Sequence, residues 1–331
     1  MLWRETEGDA VLRKRAFQGL RKYQEAARPA PPPAAAAAVA VAGQARLLRH
    51  GTENGRHPVV FVPSLINPPL ILDLSERRSL LRHMAAAGQD AYLVDWGAPA
   101  PGDAAMDLAG HVTERLLPLL RALPRPPILV GYCLGGTLAL AAAALHSVRA
   151  VATIAAPWHF GSFPAADRDR IAALWRNAEP TCRQLGYVPM EVLQSGFWAL
   201  DPQRTVRKYA AFADMAPGSD EKAAFLAVED WANAGAPLTY AAARELFERL
   251  YAADATGKGL WTVGGRPVTP PSDGTSLTIA SDTDRIVPAA VGPRAGQMLR
   301  TELGHVGMIV GGRARQAVWE PLRDWVRANG G

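Results

Sequence analysis

The sequence predicts an α/β protein with a mostly parallel central sheet, flanking helices and a helical lid insertion. Short apolar runs bounded by Gly and Pro alternate with helical segments from residue 45 to 157, and the alternation resumes after residue 265. The intervening stretch, 158–265, has an almost entirely helical pattern. Strands that alternate with helices at this spacing are typical of a parallel sheet covered by helices on both faces.

The N-terminal 44 residues are expected to precede this sheet as a separate segment. Residues 9–27 have a helical pattern, and residues 28–43 form a linker rich in proline and alanine. Because such a linker has few side chains to bury, we expect it to be extended or mobile. Whether residues 34–43 are ordered stays open at this point.

Residues 45–157 form the first part of the predicted core. Their apolar runs are short and bounded by turn residues, which is typical of buried strands. The predicted strands are 45–50, 58–62, 91–95, 127–130 and 148–155, and the predicted helices are 77–87, 106–123 and 137–146.

The predicted insertion, 158–265, is rich in large apolar and aromatic residues. It is interpreted as a lid that excludes water, with ordinary helical core as the alternative. The second part of the core, 266–331, follows it. There the predicted strands are 276–280 and 300–303, and the predicted helices are 290–298 and 313–328.

Composition argues against a membrane or secreted protein. Hydrophobic residues make up 49% and charged residues 20% of the chain, which is ordinary for a globular protein. No apolar run approaches the roughly 20 residues that cross a bilayer, and the N-terminus lacks the apolar core of a signal peptide. We therefore expect a cytoplasmic protein without a transmembrane segment.

The charge distribution and the number of cysteines limit which ligands and binding partners are expected. The net charge of +5 comes mostly from arginines dispersed along the chain. A nucleic-acid-binding protein usually concentrates that charge in one patch, so we expect no nucleic-acid partner; a dispersed positive field suits an anionic substrate. Two cysteines, Cys133 and Cys182, do not make a disulfide framework, and no Cys/His cluster has metal-ligand spacing. We expect no metal and no bound cofactor.

The motif Gly-Tyr-Cys-Leu-Gly-Gly at 131–136 has the context of a nucleophile elbow. It follows a predicted strand directly and opens a predicted helix. Such a turn needs small residues two before and two after the nucleophile, which Gly131 and Gly135 supply. The N-terminus of the helix favours the thiolate form of Cys133. The alternative is a buried structural cysteine in a tight turn.

An acid and a histidine follow this elbow in the chain order that a nucleophile elbow predicts. Asp282 and Asp284 both come just after the strand 276–280, and the Ile-Val-Pro that follows favours Asp284. The alternative is that both aspartates cap the next helix. His305 alone among the seven histidines follows the acid. Cys133, Asp284 and His305 together predict the α/β-hydrolase fold with a catalytic triad.

An oxyanion hole needs two backbone N–H groups aimed at the developing negative charge. Leu134, directly after the nucleophile, is one expected donor. The other is expected from the loop after the strand 58–62, where we favour Ile66.

Several sequence blocks, taken in order, resemble the polyhydroxyalkanoate synthase family. The box Gly-Tyr-Cys-Leu-Gly-Gly-Thr matches the family's cysteine-containing G-x-C-x-G-G motif, and together the blocks cover most of the chain from about residue 45. The other blocks are Pro-Ser-Leu-Ile-Asn at 63–67 with Ile-Leu-Asp-Leu at 71–74, Gly-Gln-Asp at 88–90 with Leu-Val-Asp-Trp-Gly at 93–97, Asp284 with Ile-Val-Pro, and Gly-His-Val-Gly at 304–307.

The resemblance implies a role for each site residue. Cys133 is the acyl-accepting nucleophile, His305 the base, and Asp284 the acid that assists activation of the chain hydroxyl. The implied substrate is (R)-3-hydroxyacyl-coenzyme A, which is polymerised into polyester with release of coenzyme A. The short N-terminus is similar to that of catalytic subunits without a large N-terminal domain.

The resemblance also implies partners and a location. These are the growing polyester chain or a granule surface, a separate synthase subunit, and a second copy in a homodimer. The protein is expected in the cytoplasm, associated with polyester granules. Two features depart from the family pattern: Arg285 stands where many synthases have histidine, and the lid segment 228–237 has no assigned role.

Two other functions stay open. A cysteine-nucleophile hydrolase, such as an intracellular polyester depolymerase, esterase or thioesterase, uses the same fold and triad. A non-catalytic granule-associated subunit is the third candidate, but it predicts a broken triad, whereas all three residues are present. The sequence does not indicate the acyl chain length.

Overall fold

A central sheet organises the computed structural model, which describes residues 2–28, 36–52, 56–200, 202–272 and 274–330. The first part of the predicted linker, residues 29–35, lies outside the described residues. The strands are β1 Ala38–Ala42, β2 Ala45–Arg49, β3 Val59–Val62, β4 Asp73–Ser75, β5 Arg78–Ser79, β6 Ala91–Asp95, β7 Ile128–Tyr132, β8 Ala150–Ile154, β9 Tyr187–Val188, β10 Leu238–Thr239, β11 Thr262–Val263, β12 Arg266–Pro267, β13 Ser276–Ser281 and β14 Gln297–Thr301.

Within the described ranges, eight of these strands form one sheet in the order β1-β2-β6-β3-β7-β8-β13-β14. The first two pairings, β1 with β2 and β2 with β6, are antiparallel, and the remaining pairings are parallel. The central strands β3, β7, β8 and β13 are buried along their whole length. This explains their continuous apolar runs, since a central parallel strand has both faces covered.

Helices cover both faces of the sheet. One face packs against the helices at 80–86 and 320–330, and the other against the helices at 117–121 and 134–145 and part of the insertion. The α-helices are α1 Leu2–Glu5, α2 Ala10–Glu25, α3 Leu80–Ala86, α4 Leu108–Gly110, α5 Leu117–Arg121, α6 Leu134–Leu145, α7 Ala165–Leu185, α8 Met190–Leu200, α9 Pro202–Phe212, α10 Asp220–Asn233, α11 Tyr240–Arg244, α12 Gly307–Val310 and α13 Glu320–Gly330. The π-helical segments His111–Leu116, Glu245–Ala252 and Arg315–Trp319 continue from α4, α11 and the turn before α13. Among the described residues, no helix has both the length and the apolarity that a bilayer crossing requires.

The N-terminal helix α2 packs directly against α9 of the insertion. A Cβ atom added to Gly19 would lie 1.7 Å from the backbone oxygen of Tyr209, so the two helix backbones are in contact at this point. The Tyr23 hydroxyl donates to Asp230 of α10 at 2.7 Å, and Lys22 donates to the backbone oxygen of Ala213. The N-terminal helix α2 is therefore held against α9 and α10 of the insertion by backbone contact and hydrogen bonds.

Replacement of Gly19 by alanine is expected to destabilise this docking. In an exposed helix, Gly→Ala usually stabilises by about 0.5–1 kcal/mol, but here the new methyl group overlaps the Tyr209 backbone and overpacking costs about 1–3 kcal/mol. The free energy of unfolding, measured in urea, should therefore fall. Gly102→Ala is the matched control because a Cβ atom there has no neighbour within 4 Å. A Gly19→Ala protein as stable as the Gly102→Ala protein would contradict the observed packing.

Two predicted elements are wrong. Residues 38–42 of the expected linker form strand β1, which joins β2 through a two-residue turn in which Gly43 has a φ of 60°. The strand leaves Val39 and Val41 exposed, so backbone pairing rather than side-chain burial holds it. The helix predicted at 290–298 is only a short turn, Ala289–Val291, followed by β14. Gly292 adopts extended backbone and Pro293 cannot continue a helix, which ends the turn there.

Candidate active site

Cys133 occupies a sharp turn between the carboxyl end of β7 and the start of α6. Its backbone has φ 54° and ψ −133°, which is unusual for a residue with a side chain and stores strain. The surrounding backbone is crowded: a Cβ atom on Gly135 would lie 2.1 Å from the Val62 oxygen, and one on Gly131 would lie 2.3 Å from the Gly136 Cα. Both glycines are therefore required by close approach of the backbone.

The start of α6 surrounds Cys133 with backbone dipoles. Cys133 is the N-cap residue of the helix, so the first-turn N–H groups and the positive end of the helix dipole lie beside its side chain. The Cys133 backbone N–H donates to the Ile154 oxygen of the neighbouring strand at 2.9 Å. The turn therefore holds Cys133 at the N-terminal end of α6.

The structure brings Asp284 and His305 together at the same sheet edge. The His305 Nδ1 and Asp284 Oδ2 atoms lie 2.7 Å apart, and both side chains are buried. Asp284 Oδ1 accepts from the backbone N–H groups of Ile286 at 2.8 Å and Val287 at 3.0 Å. These two bonds explain the Ile-Val segment after the acid, since they fix the carboxylate in an orientation that faces the imidazole.

Asp282, the other candidate acid, lies elsewhere. Its side chain is 52% exposed and forms an ion pair with Arg300 on β14. The two aspartates therefore differ in environment although they are only two residues apart: Asp284 contacts His305 and Asp282 faces solvent.

The surroundings of His305 favour its protonated form. Burial by itself lowers the pKa of His305, but the negative charges of Asp284 and Cys133 and hydrogen bonds to both side chains raise it to about 10. Nδ1 faces Asp284, so Nε2 is the ring nitrogen available to the Cys133 sulfur. The arrangement favours an imidazolium at His305, between the side chains of Asp284 and Cys133.

The raised pKa of His305 predicts how stability depends on pH. Because the folded-state pKa of about 10 lies above the ordinary value of 6.5, the His305 contribution is complete below about pH 6.5 and is lost as the pH rises through about 10. The free energy of unfolding should fall by an amount on the order of a few kcal/mol over this window. Urea unfolding at several pH values, compared with the His305→Gln variant, measures this contribution. Parallel pH profiles of the two proteins would contradict the ion-pair arrangement.

A cleft of about 540 Å³ opens over Cys133 and His305. Its walls come from the loop after β3, from α8, α9 and α10 of the insertion, and from the loops after β13 and β14. The charged residues that line it are Arg78, Arg204, Lys208, Glu221, Glu229 and Arg285, and its aromatic residues include Phe197, Trp198, Phe225 and Trp231. A smaller apolar chamber of about 60 Å³ adjoins it and shares Ile66, Phe197 and Ile286 with the cleft.

The two predicted oxyanion donors differ in the hydrogen bonding of their backbone N–H groups. Leu134 is the first residue of α6, where a backbone N–H has no partner within the helix. Ile66 lines the cleft, but its N–H donates to the Ser64 hydroxyl oxygen at 3.2 Å. A role for Ile66 therefore requires its N–H to turn from Ser64 to the substrate oxygen. Both assignments stay predictions.

The segment 228–237, which has no assigned role, contacts the core from within the insertion. Glu229 is buried and accepts from Lys208 Nζ at 2.8 Å and from the Tyr209 hydroxyl at 3.0 Å. Trp231 donates to the Pro68 oxygen of the core at 2.8 Å. The sequence carried one signal that could have identified Glu229: it lies three residues after Leu226, on the apolar face of the helix.

The sequence is similar to known proteins over most of its length. The sequence model of the alpha/beta hydrolase fold matches residues 57–302. The chain belongs to the alpha/beta hydrolase fold family. The predicted fold class, with its mostly parallel sheet and flanking helices, is thereby confirmed.

Within this fold, the chain is similar to poly(3-hydroxyalkanoate) polymerase subunits named PhaC. It is 29% identical to the subunit of Allochromatium vinosum over 297 residues, which cover 81% of this chain and 80% of that protein. The subunit of Thiocystis violacea is 27% identical over 303 residues, 85% and 84% of the two chains. That of Haloarcula marismortui is 25% identical over 285 residues; the match covers 81% of this chain but only 60% of the relative. The resemblance to polyhydroxyalkanoate synthases is confirmed by these similarities.

Proposed function

We propose that this chain polymerises (R)-3-hydroxyacyl-coenzyme A into polyester through an acyl intermediate on Cys133. The observation that carries the proposal is the arrangement of Cys133, His305 and Asp284 at one sheet edge, in a chain similar to polyhydroxyalkanoate polymerase subunits. In this proposal Cys133 is the nucleophile, His305 is the base and Asp284 orients the base, as in enzymes with an activated cysteine nucleophile.

In the first half of the reaction, the Cys133 thiolate attacks the thioester carbonyl of the substrate. The resulting oxyanion collapses and expels the coenzyme A thiolate, which takes the proton from the His305 imidazolium and leaves as free coenzyme A. A thioester on cysteine preserves the acyl-transfer potential of the original thioester, whereas an oxyester on serine would lose part of it. The backbone N–H of Leu134 stabilises the oxyanion in this proposal.

In the second half, neutral His305 accepts the proton of an attacking hydroxyl group from a second hydroxyacyl unit. The new ester bond forms as the Cys133 sulfur leaves as a thiolate, which regenerates the thiolate–imidazolium pair. Asp284 keeps Nδ1 of His305 protonated and stabilises the positive charge on the ring. No cofactor enters any of these steps.

Two features of the cleft support a coenzyme A ester and a protected intermediate. Four cationic side chains and two carboxylates line the walls, and this excess of positive charge suits the phosphates of coenzyme A: Arg78, Arg204, Lys208 and Arg285 against Glu221 and Glu229, of which Glu229 pairs with Lys208. Aromatic side chains of the insertion line the cleft, which suits a lid that keeps water from the acyl-cysteine.

The partners belong to the same proposal. A growing polyester chain or a granule surface takes up the product, and the catalytic chain works with a separate synthase subunit or a second copy of itself. Sedimentation of the protein with newly formed polymer, with and without a candidate subunit, would test these associations.

Product analysis tests the proposed function. The purified protein is incubated with (R)-3-hydroxybutyryl-coenzyme A, and both free coenzyme A and insoluble polyester are measured. Polyester formed together with coenzyme A supports the synthase. Free 3-hydroxybutyrate without polymer would mean that water attacks the acyl-cysteine and that the chain is a hydrolase. Release of neither product would remove both functions.

A further inference from the structure

Tyr132, the residue directly before Cys133, lies against the imidazole ring of His305. It ends strand β7, lines the cleft and is only 3% exposed. The centroids of the two rings are 5.1 Å apart and their planes are inclined by 34°. The Tyr132 hydroxyl donates to the backbone oxygen of His305 at 3.4 Å. The triad chemistry described above uses neither contact.

The two contacts differ in strength. An O–H···O hydrogen bond normally spans about 2.5–3.0 Å, so a bond of 3.4 Å contributes little. An aromatic face within about 6 Å of a cation is in range for a cation–π interaction, which is stronger when both groups are out of water. Both of these side chains are buried, so the ring contact dominates.

We propose that Tyr132 is a positioning residue for His305, and that its aromatic ring rather than its hydroxyl group holds the imidazolium against Cys133. The backbone couples the two residues: Tyr132 ends strand β7 directly before the strained turn at Cys133. The same elbow therefore positions the nucleophile and orients its base. Catalytic relevance of this role rests on the proposed function, but the contact itself does not.

Several charged groups near His305 also affect its protonation, besides the contact with the Tyr132 ring. Asp284 and Cys133 contact His305 directly. Further charges on the cleft walls come from Arg78, Arg204, Lys208, Glu221, Glu229 and Arg285. The phenol stays neutral in this setting, since burial, and then the charges of Cys133 and Asp284, raise the pKa of Tyr132 well above its usual value. Because Tyr132 variants change none of these groups, a shift in the pKa of His305 is expected to report on the ring.

Alkylation of Cys133 by iodoacetamide across pH 5–11 tests the proposal without any acyl substrate. The rate profile of the wild type should show two transitions, the upper one arising when His305 loses its proton near pH 10. Tyr132→Phe keeps the ring, so its alkylation rates should stay within about twofold of the wild-type rates at each pH. Tyr132→Leu removes the aromatic face and should lower the upper transition by roughly half to one pH unit. Cys133→Ala supplies the background from buried Cys182.

Each outcome decides the proposal. A Tyr132→Leu profile identical to the wild type would overturn it, because the ring would then have no effect on His305. A Tyr132→Phe profile shifted like that of Leu would overturn it as well, because the hydroxyl would be responsible. If Tyr132→Leu does not fold, pentafluorophenylalanine at position 132 replaces it: the ring shape is kept while the charge on its face is reversed, so the upper transition should fall. Failure of the protein to make polymer leaves this assay unaffected, so the two proposals fail separately.

Discussion

Replacement of Cys133 by alanine is expected to reduce acyl transfer from (R)-3-hydroxyacyl-coenzyme A by about 10⁴-fold or more. The loss is large because the covalent route disappears: without the sulfur, no atom at the elbow can accept the acyl group, and only binding and the oxyanion donors remain. The strained backbone at this position presents that side chain between the end of β7 and the start of α6. Release of coenzyme A and formation of polyester are the two quantities to measure.

The control for Cys133 is the second cysteine. Cys182 lies buried in α7 and is 2% exposed, so Cys182→Ala should leave the transfer rate within about twofold while costing some stability. Single-turnover labelling with radioactive substrate should give an acyl adduct in the wild type and in Cys182→Ala, and none in Cys133→Ala. Substantial turnover by Cys133→Ala would rule out the covalent mechanism.

Replacement of Asp284 by asparagine is expected to lower the transfer rate by about 10³–10⁴-fold. The amide cannot supply the negative charge that raises the pKa of His305, and it permits the wrong imidazole tautomer. The backbone bonds from Ile286 and Val287 to Oδ1 can survive the change if the amide oxygen takes that position, so the loss should arise from chemistry rather than unfolding.

Asp282→Asn is the matched control for this second prediction. It makes the same chemical change two residues away, where the carboxylate is half-exposed and pairs with Arg300 on the surface. A surface ion pair of this kind contributes about 0–1 kcal/mol, so activity and stability should change little. A steady-state comparison of the two variants decides between the acids. Equal losses in both, or a larger loss in Asp282→Asn, would contradict the assignment of Asp284.

The sequence predicted the elements that have a strong local signal. The strands at 91–95 and 276–280 and the helix at 9–27 were placed within about two residues of β6, β13 and α2. Buried parallel strands have continuous apolar runs between turn residues, and this pattern is local. The wrong predictions are the linker at residues 38–42, where β1 forms, and the helix at 290–298. Both segments have weak local signals: one is alanine-rich and the other is broken by Gly292 and Pro293.

For the candidate site, the sequence predicted chain order but not contacts. The motif at 131–136 and the order of acid and histidine selected Cys133 and His305 before any distance was available. The choice between Asp282 and Asp284 depended on the Ile-Val-Pro that follows, and the backbone bonds to Asp284 give that preference a physical reason. The Lys208–Glu229 pair in the cleft and the ring contact of Tyr132 had no comparable signal.

By itself, then, the sequence determined the α/β class, the tight turn at Cys133 and the chain order of the candidate site residues, because these depend on periodicity, on small residues at a tight turn and on spacing along the chain. Only the tertiary structure decided which carboxylate meets His305, how the N-terminal helix docks on the insertion, and which side chains line the cleft. Those features depend on residues far apart in the chain that meet where parallel strands end at one edge of the sheet. Local propensity carries no information about such long-range contacts.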